Sequence, residues 1–142
     1  MYKTSILILV MLCLIGCQGR DDEGLPIEKK TLSLDTANIQ EVRIIKPDLA
    51  NLSNKNILVT ISDKKPFDTL NQILNNAIHK DEEFEDILHD YEIDVLMKDG
   101  SSYTIRHWVK LKRFEDENAK NYILDSETSN KMNSFLKTLG LQ

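Results

Sequence analysis

Residues Tyr91 to Ile105 read YEIDVLMKDGSSYTI, and this stretch decides the fold. Tyr91, Ile93, Val95 and Met97 alternate with Glu92, Asp94 and Lys98, a two-residue period that puts the apolar side chains on one face of a strand. Asp99-Gly100 supplies the positive-φ residues of a tight hairpin. On the returning strand Tyr103, Ile105, His107 and Val109 line one face, and Thr104, Arg106 and Trp108 the other. The stretch is an antiparallel pair with one clearly apolar face.

Upstream, Ile39 to Lys46 (IQEVRIIK) alternates in the same way and ends at Pro47, and Ile57 to Ile61 (ILVTI) is a β-branched run suited to a buried strand. Structure is expected to begin near Leu32 or Ile39, and Asp48 to Asn56 reads as a loop. Asp63 is placed to cap a helix with Pro66 in its first turn. Phe67, Leu70, Ile73, Leu74, Ala77 and Ile78 recur at spacings of three and four, marking one apolar stripe over about Lys65 to Lys80.

Downstream, Lys110 to Lys120 is charged and is expected to loop out, and Tyr122 to Leu124 to form one more strand. Asp125 or Ser126 caps a last helix carrying Met132, Phe135, Leu136 and Leu139, with Gly140 placed to end it. The expected order is β-β-α-β-β-β-α. The economical packing is an α+β fold, an antiparallel sheet of about five strands with both helices on one face.

The amino terminus is of a different kind. An apolar run from Ile6 to Ile15 follows Lys3, too short for a membrane-spanning helix, which needs roughly 20 residues. Both cysteines of the chain, Cys13 and Cys17, stand here. A disulfide between them would close only a tiny loop, and no His or carboxylate lies between Ser5 and Gly19 to share a metal. Leu14-Ile15-Gly16-Cys17 resembles the lipobox of bacterial lipoproteins, in which aliphatic and small residues precede a cysteine.

The resemblance implies cleavage between Gly16 and Cys17 and a diacylglyceryl group on the Cys17 thiol. One acyl chain binds a bilayer only marginally, at about 0.8 kcal/mol per buried methylene, and two hold firmly. The expected division is a signal peptide over 1–16, a lipidated amino terminus and flexible tether over 17–38, and one α+β domain over 39–142. The address is the extracytoplasmic face of the cell membrane. With YEIDVLMKDGSSYTI and the strand and helix after it, the chain resembles the small lipoproteins of low-GC Gram-positive bacteria, including those with a YhfM-like domain. That likeness carries over no active residues.

Charge narrows the partners. The chain carries 18 Lys+Arg against 23 Asp+Glu; loss of Lys3 with the signal peptide leaves 17 against 23, a formal −6. An acidic surface argues against nucleic acid. The remaining partners are membrane lipid, through acylated Cys17, and an envelope or membrane protein.

The densest polar stretch is Asp81 to Asp90 (DEEFEDILHD), with six carboxylates and His89 in ten residues. Asp81, Glu82, Glu83, Glu85 and Asp86 are weak candidates for a divalent-cation or small-ligand site, lacking the alternation and central Gly of a calcium loop. The plainer reading is a solvated acidic turn anchored by Phe84, Ile87 and Leu88. His79, His89 and His107 show no metal-ligand spacing; His79 is expected at a helix end and His107 at a sheet margin. There is no Gly-x-Ser-x-Gly elbow, spare thiol or Gly-rich phosphate loop, so the chain reads as non-catalytic and without a cofactor.

The outward set Trp108, Arg106 and Thr104, beside Glu92 and Asp94, is the candidate interaction patch, since Trp and Arg are enriched where partners bind. The competing reading is cross-strand packing of Trp108, with Arg106 paired to Glu92 or Asp94.

Overall fold

The computed structural model describes residues 32–48, 50–51, 54–84 and 87–141. Among the described residues, seven strands and two helices follow in the order β1 (Ile39–Pro47), β2 (Lys55–Ile61), α1 (Lys64–Asn76), β3 (Ile78–Lys80), β4 (Tyr91–Met97), β5 (Ser102–Trp108), β6 (Arg113–Asp116), β7 (Asn121–Ile123) and α2 (Ser126–Thr138). The strands form one antiparallel sheet in the order β2-β1-β4-β5-β6-β7-β3. The fold is α+β as the patterning implies, with two more strands than expected.

The β4–β5 hairpin pairs Ile93 with Ile105 and Val95 with Tyr103, and directly opposed residues share a face. That face continues through Val42 and Ile44 of β1 and Phe114 and Tyr122 of β6 and β7. Against it pack Phe67, Leu70, Ile73 and Leu74 of α1 and Met132, Phe135 and Leu136 of α2, in one continuous core. Burying each such side chain contributes about 1.5–3 kcal/mol.

Both helix ends follow local rules. The Asp125 carboxylate accepts from the Thr128 N–H at 2.7 Å and caps α2. At its other end Gly140, at φ +76°, donates to Lys137 O while Leu141 donates to Leu136 O, closing a Schellman motif. Asp63 occupies the N-cap position of α1 without a side-chain cap bond.

Five local expectations are corrected. The α1 stripe does not run to Lys80: Asn75 and Asn76 are poor helix formers, and Ile78–Lys80 instead pair with β7 as a short edge strand, His79 included. The charged stretch 110–120 does not simply loop out, because Arg113–Asp116 pairs on both sides as β6. Only Gly100 of the Asp99-Gly100 pair has positive φ. Its turn has Met97 N donating to Ser101 O and Gly100 N to Met97 O, while the Asp99 carboxylate accepts from the Ser101 N–H and hydroxyl. His107 lies inside the core and not at a sheet margin. Finally, Leu32 and Leu34 are buried in the core, and Leu34 N donates to Asn71 Oδ1 at 2.8 Å. The core therefore already includes Leu32, the earlier of the two expected starts, and the tether drawn over 17–38 reaches too far by including Leu32 to Asn38.

Candidate functional site

The sheet face turned away from the helices collects the candidate patch. Register sets Arg43, Asp94 and Thr104 in one row, Ile45, Glu92, Arg106, Glu115 and Asn121 in the next, and Trp108, Arg113 and Ile123 in a third. Glu92, Asp94, Thr104 and Arg106 thus come together as expected. Their partners differ from the expected ones. Lys55 Nζ, from β2, donates to Glu92 Oε1 at 2.9 Å and Asp94 Oδ2 at 2.7 Å. Thr104 Oγ1 donates to Asp94 Oδ1 at 2.7 Å, and Arg106 donates to Glu115 of β6.

Hydrogen bonds to Asp94, then Glu92, raise the Lys55 pKa above its ordinary value. The Lys55 and Arg106 side chains remain substantially exposed, so each ion pair contributes at most about 1 kcal/mol. Lys55 and Glu115 were not legible as members of this face: one joins it by folding of β2 onto β1, the other by pairing of β6.

Trp108 is the main correction. It lies on this face but is only 5% exposed, with Ile87 and His89 lying against it. The indole N–H donates to Ile87 O at 2.6 Å, and the His89 ring meets the indole edge-on at 5.7 Å. Asp90 N donates to His107 O at 2.9 Å and Val109 N to Asp90 Oδ2 at 2.8 Å, while Asn121 Nδ2 donates to Glu82 O at 3.1 Å. Phe84 stacks on the Arg113 guanidinium, 4.5 Å from its ring centroid, and Trp108 stacks on the same guanidinium at 3.9 Å. The anchors of the segment are therefore Phe84, His89, Asp90 and main-chain carbonyls. Ile87 and Leu88 are not anchors: they are 48% and 41% exposed.

Burial lowers the His89 pKa, opposed by the nearby Glu92 carboxylate, whose Oε2 is 3.7 Å from Nε2. Burial also lowers that of Arg113. On the opposite face His107 Nδ1 lies 3.0 Å from Arg113 O and must carry the proton, since the carbonyl can only accept. Its ring packs on Phe114 at 4.6 Å, and burial holds its pKa down to about 4.

Asp81, Glu82 and Glu83 are exposed and border a shallow recess of about 300 Å³ with His79 and Lys120; Glu85 and Asp86 lie outside the described residues. Among the described residues no three His, Cys, Asp or Glu side chains gather into a metal-binding group. A larger open groove of about 890 Å³ runs between α1 and α2, with Ile73, Phe135 and Leu139 in it and Lys65, Glu127 and Lys131 among its polar lining. Gly16 and Cys17 also lie outside the described residues, and among those described no helix is long and apolar enough to cross a membrane.

No protein-family model and no curated protein matches the chain. Among solved structures, a thioesterase-like protein from Clostridium sporogenes ATCC 15579 is similar, with 14% sequence identity and a TM-score of 0.46. The match covers 70% of this chain and 94% of that one.

Proposed function

We propose that the chain is a lipid-anchored lipoprotein on the extracytoplasmic face of the cell membrane, working there as a non-catalytic interaction module. The observation that carries the address is Leu14-Ile15-Gly16-Cys17 directly after the apolar run Ile6 to Ile15. Acylated Cys17 is the membrane contact. The interaction reading is supported by the helix-free sheet face, a shallow polar surface of Lys55, Glu92, Asp94, Thr104 and Arg106 whose charges are already paired. Such a surface suits a broad protein contact with an envelope partner better than enclosure of a substrate. The alternative, a divalent-cation or small-ligand sensor using Asp81 to Asp90, draws no support from Asp81, Glu82 and Glu83, which point into solvent without converging.

Two measurements test the proposal. Cys17→Ser is expected to leave the protein unlipidated and uncleaved, seen as loss of lipid label and a larger mass; normal processing in that variant would refute the anchor. A photo-crosslinking residue at Thr104 is expected to capture a protein in intact cells, whereas one at Gln72 on α1 captures none. Capture from Gln72 alone would move the contact to the helices and overturn the choice of face.

A further inference from the structure

The two edges of the sheet differ in kind. β3 forms one of them with three residues, followed by the exposed Asp81, Glu82 and Glu83. Short length and flanking charge are devices that keep an edge from pairing with other chains. β2 forms the other edge with seven residues, Lys55–Ile61, which include no Pro, no Gly and one charge. Among the described residues no strand lies on its outer side.

The single charge does not guard this edge. Lys55 reaches inward across β1 to Glu92 and Asp94 of β4. The ladder with β1 shifts between Ile44, opposite Val59, and Ile45, opposite Ile57, so Leu58 is an extra residue with no opposite number. A bulge can turn an edge aside, yet Ile57 and Leu58 stand here 46% and 37% exposed. Two large apolar side chains thus sit beside a row of main-chain donors and acceptors placed to extend the ladder.

The strand is complementary to itself. Antiparallel pairing about Leu58 sets Leu58 against its own copy, Ile57 against Val59, Asn56 against Thr60 and Lys55 against Ile61. Apolar residues meet, and no like charges face each other. Use of the same patch by both copies gives a closed twofold pair, and the blunted β3 edge offers no surface for further growth.

We propose that β2 is a dimerisation strand, through which a second copy of this chain pairs antiparallel about Leu58 and joins two sheets into one. A contact of one strand lies at the small end of specific interfaces, so the dimer is a reversible one. It depends on neither the lipid anchor nor the Thr104 contact.

The test is a photo-crosslinking residue at Ile57 of the full chain, in cells making two differently tagged copies. The expected product carries both tags and joins the tryptic peptide Asn56–Lys64 of one copy to the same peptide of the other. The same probe at Ile78 on β3, 39% exposed, is expected to give no such product. Leu58→Lys sets two lysines face to face on the axis and is expected to lose the product while keeping its circular dichroism spectrum. Should that variant fail to fold, the contrast between Ile57 and Ile78 decides alone. Absence of the doubly tagged product, equal yields from the two edges, or an undiminished yield from folded Leu58→Lys would overturn the proposal. A single-chain product joining Ile57 to residues 18–31, or capture of a different protein in place of a second copy, would overturn it too by naming another occupant of the edge.

Discussion

The Trp108 indole N–H donates to the carbonyl oxygen of Ile87 at 2.6 Å, across 21 positions of chain. This bond ties the most acidic stretch of the sequence to the sheet and makes the lone tryptophan a structural element. A buried indole needs a partner for its N–H, and here a main-chain carbonyl provides it.

Trp108→Ala is accordingly expected to cost about 3–5 kcal/mol, the range for truncating a large buried aromatic residue. It removes the stacking surface of Arg113 and the contact with His89 together. Urea unfolding gives the loss, and amide exchange should show Ile87 to Asp90 losing protection first. Unchanged stability would mean that the segment is held without the indole.

His107 predicts a loss of stability on acidification. Its folded pKa is held at about 4, against an ordinary 6.5, chiefly by burial. The unfolded chain therefore binds the extra proton first as pH falls. The stabilisation is complete above pH 6.5 and is lost as pH drops from 6.5 to about 4, by about 3 kcal/mol in all. His89, also lowered by burial, acts in the same sense. Urea unfolding across this window should show a flatter pH profile for His107→Phe than for the natural chain; parallel profiles would contradict the assignment.

The two hairpin turns predict substitutions of opposite sign. Met97–Ser101 and Asp116–Lys120 share one pattern, in which the first residue donates to the carbonyl of the fifth and accepts from the N–H of the fourth. The fourth residue is Gly100 at φ +86° in one turn and Ala119 at φ +58° in the other. A Cβ in this region is strained, and nothing stands within 4 Å of the position it would take at Gly100. Gly100→Ala should therefore cost about 1 kcal/mol through backbone strain alone, and Ala119→Gly should be neutral or gain up to about 1 kcal/mol. Thermal unfolding of the two variants decides it; a clear loss at Ala119→Gly would show that the second turn carries no strain.

That pair of turns also explains what could be read in advance. Gly100 announces its turn, whereas Ala119 gives no sign of one. The second turn is held by the Asp116 carboxylate, which accepts from the N–H groups of Asn118 and Lys120 at 2.9 Å each. With the turn unmarked, β6 was hidden: four residues, three of them charged, yet Arg113, Phe114 and Asp116 are all buried. Without β6, Arg106 had to be paired with Glu92 or Asp94, and the partner of Trp108 opposite it, Arg113, was absent.

The amino-acid sequence by itself determined the features that rest on neighbours within a few positions. These are the two-residue alternation of β4 and β5, the apolar stripes of α1 and α2, the Asp125 cap and the Gly140 stop, together with the α+β class that follows from them. Tertiary structure alone decided the rest. Short strands such as β3 and β6 exist only because an adjacent strand satisfies their main-chain groups. The burial of Trp108 and Arg113 depends on Phe84, Ile87 and His89, which lie against them from outside the sheet. Side-chain periodicity says which way a residue points, and only the folded chain says what lies there.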